Sequence, residues 1–139
     1  MTSQGDTNRA VIDAFFTAAG TGGDVLDFLT EDATWWVPGH WQLGGTYSKD
    51  QLGPVFEIAL ALMDIKPRFT INAMTAEEDR VAVDCEGDGR FADGTPYHNT
   101  YHFLFRLRDG KIAAVKEFMN TAYMSKTLTD QLARANAPA

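Results

Sequence analysis

Five polar side chains in the last third of the chain have the residue types needed for acid–base chemistry: Tyr97, Asn99, Tyr101, Glu117 and Asn120. They lie among apolar and aromatic neighbours, and polar groups in such surroundings indicate a cavity. A carboxylate partly desolvated there has a raised pKa, which suits Glu117 as a general base or acid. Tyr101 or Tyr97 would donate a hydrogen bond to a developing oxyanion, and Asn99 with Asn120 would orient a substrate.

Two strands joined at Asp109-Gly110 must position these groups, since this dipeptide favours a two-residue type I′ turn. Regular pairing from that turn sets Tyr101 opposite Phe118 on the face with the apolar residues. The same alternation places Lys116 on the inner face and Glu117 on the outer face. An unpaired buried Lys is costly, so regular pairing conflicts with the sequence.

Two arrangements resolve the conflict. Either Lys116 lies where the sheet is uncovered, or a β-bulge near Lys116 shifts the register and brings Glu117 inside beside Tyr101. We favour the bulge. If Glu117 remains outside, it pairs with His102 or an Arg on the solvated face and has no catalytic role.

Aromatic residues crowd the first strand and the loop that follows it, and they include Trp35, Trp36 and Trp41 with His40 nearby. One interpretation is a cavity mouth for a flat or apolar ligand; the other is core and dimer-surface packing with His40 in solvent. We favour the cavity and assign to ligand binding Trp36, His40, Trp41, Phe56, Tyr97, Asn99 and Phe118.

The element order predicts an α+β fold in which a curved, mostly antiparallel sheet wraps around about three helices and encloses a central pocket. Apolar spacing, capping residues and turn signals predict helices at 7–19, after Asp24, after Ser48 and at 122–135, and strands at 33–37, 68–75, 80–91, 97–108 and 111–119. Residues 38–47 read as a loop. Pro54 suggests that the third helix begins within one turn of it.

Composition limits the function classes. The 139 residues predict one domain over 1–139, with a core at about 7–135 and frayed ends. A net charge of −7 argues against nucleic acid and anionic membranes as partners. The lone Cys85 and the absence of a visible secretory signal favour the cytoplasm. Three dispersed His residues lack zinc spacing, and Asp84, Glu86 and Asp88 read as a solvated face, so we expect no metal and no cofactor.

Three segments carry a family resemblance: WWVPG at 35–39, DGTPYHNTYHFLF at 93–105 and RDGKIAAVKEFMNT at 108–121. With the element order, they resemble the SnoaL-like, ketosteroid-isomerase-related branch of the nuclear-transport-factor-like superfamily. The resemblance covers about residues 11–124. It implies a cone of curved sheet and three helices around a pocket, and a homodimer that packs through the sheets.

The resemblance also bears on the chemistry. Ketosteroid isomerases carry an Asp base where this chain has Val37 and an oxyanion Tyr near Phe16, so that chemistry should be absent. The Asp-Arg-Asp set of limonene-epoxide-hydrolase-like enzymes is interrupted at Cys85 and Gly87, although Glu117 matches one Asp. SnoaL-type cyclases use an acid late in the final strand. Glu117 could serve as that acid, whereas many relatives carry Asp at the position of Asn120.

The sequence therefore supports two alternative functions. The first is a cofactor-independent isomerase, cyclase or hydrolase acting by acid–base chemistry on a small apolar or aromatic carbonyl compound. The second is a module that binds a ligand or forms a dimer without catalysis. The orientation of Glu117 distinguishes them.

Overall fold

The computed structural model describes residues 3–137. Three α-helices, one short 3-10 helix and six strands follow in the order α1 Gln4–Gly20, 3-10 helix Val25–Phe28, β1 Leu29–Val37, β2 Gly45–Ser48, α2 Lys49–Leu60, β3 Met63–Glu77, β4 Arg80–Phe91, β5 Pro96–Arg108, β6 Lys111–Met119 and α3 Thr121–Ala135. The expected fraying of Pro138 and Ala139 lies outside the described residues. Within 3–137, no helix is long and apolar enough to cross a membrane.

The strands form one open mixed sheet in the order β2-β1-β6-β5-β4-β3. Every neighbouring pair is antiparallel except β1 and β6, which run parallel. The chain returns from β1 to β6 only after five intervening elements, β2, α2, β3, β4 and β5, so the last strand lies beside the first. The predicted α+β class, with a mixed sheet and three helices, is confirmed.

The core lies between the inner face of the sheet and the helices. Strand β5 alternates strictly, with Tyr97, Asn99, Tyr101, Phe103, Phe105 and Leu107 buried and their neighbours more exposed. From α1, Phe15 and Phe16 pack edge-on against Phe105, with ring centroids 5.6 and 5.9 Å apart. Edge-to-face aromatic packing thus joins helix and sheet.

Strands β1 and β3 begin four and five residues earlier than predicted, and two further differences lie between them. The predicted loop at 38–47 contains the start of β2, whose four residues pair with Thr34–Val37 of β1. A strand this short has too few residues for a periodic signal and depends on its partner strand. Helix α2 begins at Lys49, five residues before Pro54, where the Gln51 side chain accepts a hydrogen bond from the Ser48 N–H. Gly53 permits this because it lacks the Cβ that the ring of Pro54 would crowd.

Candidate functional site

A β-bulge in β6 positions the candidate site. The turn residues Asp109 and Gly110 both have positive φ, 53° and 77°, as the predicted type I′ turn requires. Leu107 then pairs with Ile112, but Arg106 pairs with Ala114, which leaves Ala113 as the extra residue. The predicted bulge exists, and it lies three residues before Lys116.

The one-residue shift reverses the faces of all following side chains. Glu117 pairs with the inward-facing Phe103, and not with His102 as regular pairing requires. Lys116 points outward and its ammonium lies 5.5 Å from the centroid of the Trp36 ring. The costly buried Lys is avoided, and a carboxylate enters the core side of the sheet.

Glu117 lines a cavity of about 280 Å³ between the sheet and the three helices. Most of the wall is apolar, with contributions from Phe16, Val37, Phe56, Phe103 and Met124. Val37 and Phe16 occupy the positions that the family resemblance gives to the base and oxyanion donor of ketosteroid isomerases. Both present hydrocarbon to the cavity, so its only carboxylate among the described residues is Glu117.

The carboxylate of Glu117 is held by a single hydrogen bond. Trp35 Nε1 donates to Glu117 Oε1 over 2.8 Å. The other carboxylate oxygen, Oε2, has no hydrogen-bond partner. Within residues 3–137, every fully buried side-chain polar atom has a partner, so Oε2 is not fully buried and is accessible from the cavity. Desolvation by burial raises the pKa of Glu117 to about 7, and the Trp35 hydrogen bond only partly opposes this increase.

Two tyrosines provide hydrogen-bonding capacity on the same wall. The hydroxyls of Tyr97 and Tyr101 are 2.5 Å apart, and Asn99 Nδ2 donates to Tyr97 over 3.1 Å. Burial raises the pKa of Tyr97 to about 12 and that of Tyr101 well above its usual value. Both phenols are therefore neutral at physiological pH. The pair holds two hydroxyl protons and uses one between its members, so the other is available to a cavity ligand.

The two asparagines predicted to orient a substrate have structural partners. Asn99 exchanges hydrogen bonds with the backbone of Asn120, at 3.1 and 3.3 Å. The Asn120 side chain accepts from the Tyr123 N–H and caps α3. Neither residue lines the cavity. The structure thus gives both residues structural partners away from the cavity wall: Asn99 positions Tyr97, and Asn120 begins a helix.

Besides Asn99, four of the predicted ligand-binding residues lie away from the cavity. Trp36 and Phe118 contact each other on the outer face of the sheet, with centroids 5.3 Å apart, and Phe118 is 39% exposed. Neither residue lines the cavity, because alternation along β1 puts Trp36 on the face opposite to Trp35 and the bulge turns Phe118 outward with Lys116. His40 is exposed on the loop after β1. Trp41 donates to the Pro38 carbonyl over 2.7 Å and folds that loop.

Phe56 and Tyr97, by contrast, line the cavity as predicted. Trp35, which the sequence analysis did not assign to the site, packs against Phe56 at 5.3 Å and holds Glu117. The sequence contains a pattern that predicts its inward position: Ala33, Trp35 and Val37 alternate along β1 and share the buried face. Alternation separates Trp35 from Trp36, although both belong to the same aromatic cluster.

Comparisons with solved structures agree with this architecture. TerC, crystallised with polyporic acid, is 19% identical over 88% of this chain and 98% of its own, with a TM-score of 0.77. An NTF2-like protein from Anabaena variabilis is 26% identical over 86% of this chain and 94% of its own, with a TM-score of 0.73. A putative polyketide cyclase from Xanthomonas campestris pv. campestris is 18% identical, covers 91% and 99%, and has a TM-score of 0.72.

No curated protein matches the sequence significantly. The SnoaL-like domain model, however, matches residues 9–115, which include α1, α2 and the sheet through the bulge in β6. The match spans well over half of the chain, and the three solved structures share its fold over 86–91% of its length. The chain belongs to the SnoaL-like domain family.

Proposed function

We propose that the protein is a cofactor-independent enzyme in which Glu117 moves a proton on a small apolar or aromatic carbonyl compound. The observation that carries the proposal is the Glu117 carboxylate itself. It is the only acidic group on the cavity wall within the described residues, and one of its oxygens faces the cavity. A base is most effective when its pKa lies near the working pH, and a value of about 7 meets that condition.

The reaction step is proton abstraction next to a carbonyl. Glu117 takes the proton from the carbon, the C–H electrons form the enolate double bond, and the carbonyl π electrons move to oxygen. The hydroxyl proton that Tyr97 and Tyr101 do not use between them stabilises that oxygen by a hydrogen bond. Return of the proton from Glu117 to a second carbon completes an isomerisation. In a cyclisation, the enolate carbon attacks an internal carbonyl, the π electrons of that carbonyl move to its oxygen, and this oxygen takes the proton back from Glu117.

The surroundings of Glu117 favour this chemistry. Apolar walls exclude water from the enolate and strengthen each hydrogen bond made to it. Trp35 fixes the carboxylate without neutralising it, because an indole N–H donates one hydrogen bond and carries no charge. A cavity of about 280 Å³ suits a compound of one to three rings. The putative polyketide cyclase and the polyporic-acid complex of TerC are consistent with an aromatic or polyketide-like compound.

The proposal can be tested before a natural substrate is known. Phenylacetone and beta-tetralone are incubated with the protein in D2O, and loss of the α-proton signal is followed by NMR. We expect exchange that depends on protein and increases as the pH rises through about 7. Glu117→Gln should reduce it at least 100-fold, as expected for loss of a general base. The matched control Glu77→Gln removes an exposed carboxylate and should retain exchange. Equal exchange by the Glu117 and Glu77 variants would contradict the proposal.

A non-catalytic ligand-binding module is the second candidate. It is favoured by the position of Asn99 and Asn120, which make structural hydrogen bonds and do not line the cavity, so that few polar groups are left to orient a substrate. In that case apolar compounds would bind in the cavity, and neither wild type nor Glu117→Gln would accelerate deuterium exchange.

A further inference from the structure

We propose that Lys66 and Arg68 bind an anionic group on the compound that occupies the cavity. This inference rests on the proposed use of the cavity and specifies its ligand class: an amphipathic molecule with an apolar body and a negatively charged end. The body would lie against the aromatic wall, and the charged end would lie at the mouth.

The first observation concerns the partners of the basic residues. The chain has 12 Lys and Arg residues, all within the described range. Ten of them contact a carboxylate, a backbone carbonyl or an aromatic ring: Arg9, Lys49, Arg80, Arg90, Arg106, Arg108, Lys111, Lys116, Lys126 and Arg134. The other two, Lys66 and Arg68, have no hydrogen bond or ion pair within residues 3–137. In a chain with net charge −7, two unpaired neighbouring cations are unusual.

The second observation is where these two cations lie. Lys66 lines the cavity and is the only basic residue there among residues 3–137. Lys66 and Arg68 together line a shallow depression beside the cavity. The cavity and the depression share Ala19, Gly22 and Pro67, so the depression adjoins the mouth. Asp64 also borders the depression, but Arg90 holds its carboxylate by two hydrogen bonds of 2.9 and 3.2 Å. The positive charge of Lys66 and Arg68 therefore remains available.

The order of the strands in the sheet separates the two cations from Glu117. Glu117 is on β6, and Lys66 and Arg68 are on β3, three strands away. At ~4.8 Å between strands this separation is roughly 14 Å along a flat sheet. A ligand anion at the mouth would thus be far from the Glu117 carboxylate, and its repulsion of that charge would be weak. The cations attract the anion, and the opposite end of the molecule is directed toward Glu117.

Two fluorescent probes test this directly. Anilinonaphthalene sulfonate and phenylnaphthylamine share one apolar body and differ by the sulfonate, and both brighten in an apolar site. We expect both to bind wild type. The double variant Lys66→Gln/Arg68→Gln should weaken the sulfonate probe about fivefold, as two exposed ion pairs predict, and leave the neutral probe unchanged. Lys116→Gln is the matched control, because it removes a cation from the outer face and should affect neither probe.

Three outcomes would overturn the inference: an unchanged sulfonate affinity in the double variant, an equal loss for both probes, or sulfonate binding that survives filling of the cavity by Val55→Phe. The last would mean that the cations bind the sulfonate without the cavity. Thermal melting confirms that each variant is folded. The deuterium exchange of neutral ketones is measured on wild type and Glu117→Gln, and therefore separately from the double variant. Failure of the probe experiment with intact exchange would therefore reject the anion site and retain the proposed function.

Discussion

Replacing Glu117 by Gln should make the protein more stable than wild type at neutral and alkaline pH, although it removes the proposed catalytic group. The carboxamide oxygen of Gln can still accept the Trp35 hydrogen bond, so the main change is the loss of a charge from an apolar cavity. Burial disfavours the ionised form of Glu117, and Gln resembles the protonated form, which carries no such cost.

The magnitude follows from the pKa. Folding raises the pKa of Glu117 from 4.5 to about 7. Because the folded value is the higher one, the protonated form adds stability that is fully present below about pH 4.5 and is lost as the pH rises through about 7. At ~1.36 kcal/mol per pKa unit, wild type should lose roughly 3 kcal/mol relative to the Gln variant across this window. The difference should level off above about pH 8.

Urea unfolding of both proteins between about pH 5 and pH 8 measures this difference. Subtracting the unfolding free energy of wild type from that of the variant cancels the titration of all other groups. The Glu77→Gln variant, measured in the same way, corrects for the loss of one negative charge. We expect the variant's advantage in unfolding free energy to grow by roughly 2–3 kcal/mol over that range. A difference that stays constant with pH would refute the reasoning, because it would mean that folding does not perturb Glu117.

Three further predictions follow from the same geometry. Trp35→Phe removes the hydrogen bond to Glu117, so the midpoint of the exchange–pH profile should rise by about one pH unit; an unchanged midpoint would contradict this. Deleting Ala113 removes the bulge but keeps the pairing of Ala114–Met119 with β5, so Glu117 stays in the cavity and the midpoint of the exchange–pH profile should stay near 7; loss of exchange in a folded deletion variant would be the contrary result. If two copies pair through the outer face of the sheet, wild type should sediment at twice 15.3 kDa and Phe118→Lys at 15.3 kDa; a wild-type monomer at micromolar concentration would reject the dimer.

The elements that depend on local signals were predictable from the sequence. The bounds of β4 and β6 agree with the predicted strands, because charged or turn residues flank segments of clear alternation. The Asp109-Gly110 turn was predictable because positive φ at both positions strongly restricts the residue types. The inward position of Glu117 followed from a different kind of argument, the cost of burying an unpaired Lys116.

Features that depend on distant partners were not predictable in the same way. The site of the bulge, Ala113, is determined by the pairing of β6 with both β1 and β5, and the β1 register also shifts beside it. A register shift of one residue exchanges the faces of the sheet on which Glu117 and Phe118 lie. An error in the position of the bulge therefore changes which residues are assigned to the site. The partner of Asn99 is the backbone of Asn120, 21 residues away, and the two residue types do not predict that contact.

The central claim is that Glu117 titrates near neutrality inside the cavity. The most direct test is a pH titration of its side-chain carboxyl carbon by NMR in protein labelled at glutamate, with the resonance assigned by its absence in Glu117→Gln. We expect a midpoint near 7, well above the ordinary glutamate value of 4.5. A midpoint at or below that ordinary value would show a solvated carboxylate and would contradict the proposed acid–base role.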